Sequence, residues 1–179
     1  MARINVIQGD VTTPQTEQQT TIIIPHVVND LGIMGAGVAL ALRKKWNAVF
    51  KYYYGYILDQ TLGLEDEELK SARLALLGKL AAPGVGLIGV EENIFVANMI
   101  AQNEVISNVN QRPLRYDALV SCMNLIKDTI QKGRIKYGDV EIHTPKFGSD
   151  LAGGNWDFIL ELIEDIWIQN NINVIVYEF

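Results

Sequence analysis

A single cysteine, Cys122, stands in a chain of 179 residues. It leaves no partner for an internal disulfide and no pair of thiolates for a metal site. Histidine is almost as scarce, with His26 and His143 alone, and neither has a second histidine four positions on to make a helical zinc pair, so no metal or cofactor is expected. No apolar run reaches roughly 18 residues and no basic, then apolar, leader follows Met1; a chain in the cytoplasm with no membrane partner is expected. Positive charge is also short, 15 Lys and Arg against 21 Asp and Glu, for a net charge of −6 and a pI near 4.9. Such a chain has no global positive field to draw in a nucleic acid, although a small anion can still be held locally.

Several motifs are missing as well. No G-x-S-x-G elbow is present, since Gly148-Ser149-Asp150 does not supply one. Gly78-Lys79-Leu80 lacks the preceding glycine and the following Ser or Thr of a P-loop. Gly35-Ala36-Gly37 makes a G-x-G, but a dinucleotide fingerprint needs a third glycine where Leu40 stands. There is neither an internal repeat nor a low-complexity tract.

What is present reads as one packed domain over residues 1–179, with 49% hydrophobic and 20% charged residues. Residues 21–28 form a β-branched, apolar run suited to a buried strand. They lead to the glycine loop Gly35-Ala36-Gly37 and then to an amphipathic helix from Val38 to Trp46. A helix opened by glycines exposes backbone N–H groups, which makes a place for an anion. Earlier, a short strand Ile4–Ile7 runs out through Gln8 into Gly9-Asp10-Val11-Thr12-Thr13-Pro14, a turn in which Asp10 has an ordinary place.

Beyond Trp46 the spacing predicts a helix over 47–58 with Val49, Phe50, Tyr53, Tyr54, Ile57 and Leu58 on its core face. Residues 59–82 are hard to read apart from a helix that starts at the acidic run 65–68, where negative charge suits the helix dipole; they make either a lid or a packing helix. Residues 85–90 and 94–101 read as a hairpin about Glu91-Glu92-Asn93. A helix from Leu114 ends at Gly133, with Cys122 on its apolar face as a small buried hydrophobe. A strand 139–143 then enters a second glycine loop, Gly148-Ser149-Asp150-Leu151-Ala152-Gly153-Gly154, followed by a helix 156–168 and a closing strand 173–177. Strands alternating with helices favour an α/β fold, a mixed sheet covered on both faces, with both glycine loops at the carboxyl ends of strands.

Three stretches together carry a resemblance: Gly9-Asp10-Val11-Thr12, Asn29 six residues before Gly35-Ala36-Gly37-Val38-Ala39, and Gly148 to Trp156. In this order they resemble the macrodomain family of ADP-ribose-binding modules, over nearly the whole chain. The late loop is most similar to the branch that holds the terminal ADP-ribose protein glycohydrolase and the yeast-type ADP-ribose 1''-phosphate phosphatase. The resemblance implies a three-layer α/β/α macrodomain with a mixed central sheet. It also implies that Asp10 accepts from the adenine amino group with the Val11 backbone beside the ring, and that Asn29 holds the distal ribose next to Gly35, Ala36, Gly37 and Val38. Gly148, Ser149, Leu151, Ala152 and Gly153 would then wrap the diphosphate with backbone amides.

The same resemblance places the branch's histidine at His26, as an acid or base near its ordinary pKa of about 6.5 or else as a core histidine. Asp150 stands where the family often has glycine, either orienting a water or shaping the loop. The protein-directed members are similar in using a lysine that the stretch Asn98 to Gln102 lacks, and an aspartate where Ala152 stands. The implied activity is hydrolysis of ADP-ribose 1''-phosphate. The alternatives are a reader of ADP-ribose or of an ADP-ribosylated protein, and a glycohydrolase acting on modified macromolecules.

Overall fold

The computed structural model describes residues 1–17 and 19–179, with side chains except at 134–137. Its strands are β1 (Ile4–Gln8), β2 (Thr21–Asn29), β3 (Ile88–Glu91), β4 (Ile94–Gln102), β5 (Val140–Pro145) and β6 (Asn173–Glu178). Its helices are α1 (Gly37–Lys45), α2 (Asn47–Thr61), α3 (Asp66–Leu76), α4 (Tyr116–Tyr137) and α5 (Trp156–Ile166), with a 3-10 turn at Ile168–Asn170. The sheet runs β1-β6-β5-β2-β4-β3. Every neighbouring pair is parallel except β3 with β4. The expected mixed α/β sheet is present.

β2 lies deep in the sheet between β5 and β4, which is why its sequence is apolar on both faces rather than alternating. Ile22, Ile24 and Val28 join Leu42, Val49, Tyr53 and Ile57 of α1 and α2 on one side. On the other, Ile23, Met99, Ile142, Val174 and Val176 meet Leu119, Met123 and Ile126 of α4 and Ile159 and Ile163 of α5. Helices therefore cover both faces. α5 is capped by Asn155, whose side chain accepts from the Phe158 N–H at 3.2 Å.

The structure departs from the sequence expectations in places that have local causes. β3 begins only at Ile88, because the chain before it turns through Gly84 and Gly86 at positive φ. α4 runs through Gly133, since a helix tolerates one interior glycine at about 1 kcal/mol; the left-handed glycine that follows it is Gly138, φ +72°. Tyr54 and Leu58, expected in the core, lie on the outside of α2, where Tyr54 stacks on Phe50. In the hard-to-read stretch, Leu76 at the end of α3 is buried and residues 78–81 run along β4, with Gly78 N–H donating to Ile100 O and Ala81 N–H to Asn98 O. It packs as part of the body of the domain. Cys122 is fully buried, its thiol pushed up to about 12 by desolvation, as befits a hydrophobe.

Candidate functional site

Five parallel strands put their carboxyl ends on one edge of the sheet. Gln8, Glu178, Pro145, Asn29 and Gln102 end there, and the segments 9–14, 30–36, 103–115 and 146–155 leave from that edge. Open α/β sheets bind ligands at such ends.

In the first segment the Gly9 N–H donates to Glu178 O at 2.9 Å. Asp10 Oδ1 accepts from the Thr12 N–H and hydroxyl, both at 2.8 Å, while Asp10 O takes the Thr13 N–H. This is an Asx-type turn. It holds one carboxylate oxygen and leaves Oδ2 without a partner among the described residues. Val11 is buried beside it in the cluster that includes Tyr177.

In the second segment the Asn29 carboxamide shapes the loop. Its Oδ1 accepts from Leu31 N–H (3.0 Å), Ile33 N–H (3.2 Å) and the Tyr53 hydroxyl (2.7 Å), and its Nδ2 donates to Ile33 O (2.8 Å). The second Nδ2 proton has no partner among the described residues. Burial pushes the Tyr53 hydroxyl far up, so it stays a donor. Ala36 then takes extended backbone as the residue before α1, Gly37 has φ +57°, and no side chain caps the helix, so its first N–H groups stay open.

The late segment is closed by its own glycines. Gly154 N–H donates to Gly148 O at 2.8 Å, and Gly153 N–H to Asp150 O at 2.9 Å. Gly148 and Gly153 sit at φ +74° and +73°. Leu114 N–H donates to Ala152 O, which ties the loop to the start of α4. Ser149 turns its hydroxyl back to Lys146 O; Asp150 is exposed, its carboxylate without a partner among the described residues. The decisive contact is between loops: a Cβ on Gly37 would lie 4.0 Å from Leu151 Cδ1. Two glycine turns over a hundred residues apart thus form one rim.

His26 stands apart from that rim. It lies three residues before the end of β2, about 10 Å short of Asn29 at the usual rise of a strand. Its ring is 2% exposed, and Nε2 bonds to Asn98 Oδ1 on the paired strand. Asn98 Nδ2 donates to Val49 O at 3.1 Å, which orients that amide, so the His26 proton must sit on Nε2. Nδ1 is buried without a partner among the described residues, and desolvation lowers the pKa to about 4.

Residues that carry the site without any motif include Asp30, Tyr53 and Asn103. The buried Asp30 carboxylate accepts from Glu104 N–H at 2.7 Å and from Asn103 Nδ2 at 2.9 Å, clamping two of the four segments together. Only its place beside Asn29 could have hinted at this. Among the described residues no group of three or more His, Cys, Asp or Glu side chains is placed to hold a metal. Two cavities, of about 780 and 850 Å³, lie away from the rim, one between residues 79–87 and α4, the other beside residues 15–20.

No protein-family model and no curated protein matches the chain. Among solved structures, a protein of unknown function from Bacteroides thetaiotaomicron superposes over 99% of both chains, at 29% identity and a TM-score of 0.81. A macrodomain protein from Streptomyces coelicolor does so over 99% of both chains, at 28% identity and a TM-score of 0.73. The fold is that of a macrodomain. The Thermosipho africanus DarTG structure in complex with ADP-ribose shares the macrodomain fold at 16% identity and a TM-score of 0.66, over 99% of this chain and 42% of that one. In this chain the sequence-expected residues Asp10, Val11, Asn29, Gly35 to Val38 and Gly148 to Gly153 all lie at the strands' carboxyl edge, and His26 lies below it.

Proposed function

We propose that the rim binds ADP-ribose. Asp10 Oδ2 accepts from the adenine amino group beside Val11, and the amides of residues 149–152 with the open first turn of α1 take the diphosphate. The spare Nδ2 proton of Asn29 is turned to the distal ribose. The approach of Gly37 to Leu151 carries this reading, because neither loop alone surrounds an anion on two sides. Backbone dipoles act at contact distance, so a chain of net charge −6 can still hold a diphosphate where distant charges are screened beyond about 8–10 Å. The ADP-ribose bound by a protein of the same fold supports the choice of ligand. Calorimetry should give a saturable heat with ADP-ribose, and Asp10→Ala should weaken it roughly 10- to 100-fold, the worth of one hydrogen bond to a charged group. A native chain that takes up no ADP-ribose would overturn the reading.

The enzymatic form of the reading is hydrolysis of ADP-ribose 1''-phosphate, as in the branch the late loop resembles. The free, exposed carboxylate of Asp150 on the diphosphate loop favours it. Water held by Asp150 attacks the terminal phosphorus and gives its proton to the carboxylate. The bond from phosphorus to the 1''-oxygen breaks, and that oxygen takes a proton from solvent to leave as the ADP-ribose hydroxyl. Such a base contributes about 10²- to 10⁴-fold, so Asp150→Asn should slow phosphate release by at least about 10² while ADP-ribose still binds. Heat with ADP-ribose but no phosphate from the native chain would make the protein a reader of ADP-ribose or of an ADP-ribosylated partner. β4 from Asn98 to Gln102 offers no lysine for the glycohydrolase alternative.

A further inference from the structure

The turn that carries Asp10 is rigid within itself, but its bonds to Thr12 and Thr13 do not fix where it stands over the sheet. Its two ends do, and both are held by consecutive residues of β6. At the near end Gly9 N–H donates to Glu178 O. At the far end Gln15 N–H donates to the Tyr177 hydroxyl at 3.2 Å. Between them the Tyr177 ring lies under the turn, its Cδ1 3.4 Å from where a Cβ on Gly9 would be.

The Tyr177 hydroxyl is in turn fixed by a chain of defined direction. His143 Nδ1 lies 2.8 Å from it, and His143 Nε2 lies 3.2 Å from Glu141 Oε2. An ionised carboxylate only accepts, so the imidazole proton sits on Nε2 and points at Glu141. Nδ1 is then an acceptor, and the Tyr177 O–H must donate to it, which aims a lone pair of the hydroxyl at Gln15. Burial lowers the pKa of this histidine against the pull of Glu141, the direction that favours the neutral ring this order requires. His143 is fully buried and Tyr177 nearly so. Nothing in the candidate site otherwise employs them.

We propose that Tyr177 and His143 are positioning residues that hold the Gly9–Pro14 turn from below, and that they thereby set how sharply Asp10 distinguishes an amino group from a carbonyl at the purine six-position. The inference rests on the ADP-ribose reading. A carboxylate accepts from the adenine amino group but repels the carbonyl of a hypoxanthine, so the selectivity for ADP-ribose over IDP-ribose reports where Asp10 stands. Tyr177→Phe keeps the ring under Gly9 and removes only the hydroxyl.

The test is calorimetry of both nucleotides on the native chain, on Tyr177→Phe and on His143→Gln, with melting temperatures alongside. Loosening one end of the turn should lower the ADP-ribose to IDP-ribose affinity ratio by about tenfold, the worth of one well-aimed hydrogen bond to a charged group, with IDP-ribose affinity held within about twofold. His143→Gln retains a donor for Glu141 but loses the bond to Tyr177, and carries the same expectation should Tyr177→Phe not fold. An unchanged ratio, or an equal loss for both nucleotides, would show a purely structural role and overturn the inference. A native chain that binds ADP-ribose without preferring it to IDP-ribose would also overturn it. A native chain that binds neither would overturn the ADP-ribose reading itself.

Discussion

Gly154→Ala should lower the melting temperature by roughly 10 °C and abolish ADP-ribose binding. A Cβ at that position would lie 2.4 Å from Gly148 O and 2.4 Å from Leu114 Cδ2. The leucine methyl can rotate away, but the carbonyl belongs to the backbone and accepts the hydrogen bond that closes the loop. Relief therefore means opening the ring from Gly148 to Gly154 and moving the amides that would face a diphosphate. Forcing a methyl into a packed site costs about 1–3 kcal/mol, here at the upper end because backbone must shift. For a chain of this size each kcal/mol moves the melting point by about 2–4 °C. Gly35→Ala is the contrast, since nothing lies within 4 Å of a Cβ there, and it should stay within about 0.5 kcal/mol of the native chain. Equal melting points for the two variants would show that the late loop is not closed in this way.

The legible parts of this fold were those written in local pattern. β2 was readable because a strand buried on both faces needs an unbroken apolar run, and the glycine turns because left-handed backbone at Gly37, Gly148 and Gly153 excludes most side chains. The hairpin of β3 and β4 announced itself through the polar turn at Glu92-Asn93. What could not be read depends on which residues meet across the chain. Asp30 finds Glu104, Tyr53 finds Asn29, and Tyr177 finds Gln15, pairs separated by 74, 24 and 162 residues with no shared motif. Strand register is equally silent: His26 pairs with Asn98, and the two-residue period of the strand turns its ring under α2 with Ile24 and Val28, below the cleft. A histidine at the end of an apolar strand looks the same in sequence whether it faces a ligand or a helix.

That placement of His26 makes the protein's stability depend on pH in a definite direction. Acidification from pH 7.5 to 4.5 should cost the native fold between about 2 and 3 kcal/mol through this residue alone. Its ring donates through Nε2 to Asn98, while Nδ1 faces a buried space with no acceptor among the described residues, so a second proton there would add an unpaired N–H and a desolvated charge. Desolvation is the larger cause, and it outweighs the hydrogen bond to Asn98 that favours the charged form, leaving the pKa at about 4 against an ordinary 6.5. Above pH 6.5 the ring is neutral in both folded and unfolded chains and the stability is complete. Between 6.5 and about 4 the unfolded chain binds the proton and the folded chain does not, so stability falls with falling pH; below about 4 both are protonated and the loss levels off near 3 kcal/mol. His143, also lowered by burial, acts in the same direction. Urea unfolding at the two pH values isolates the effect when the native chain is compared with His26→Gln, which keeps a donor for Asn98 but does not titrate. The native chain should lose about 2 kcal/mol more than the variant, and parallel profiles would mean that the ring reaches water. The one free lone pair of the ring, on Nδ1, faces the interior. His26 ties β2 to β4 through Asn98, beneath the loop that Asn29 shapes.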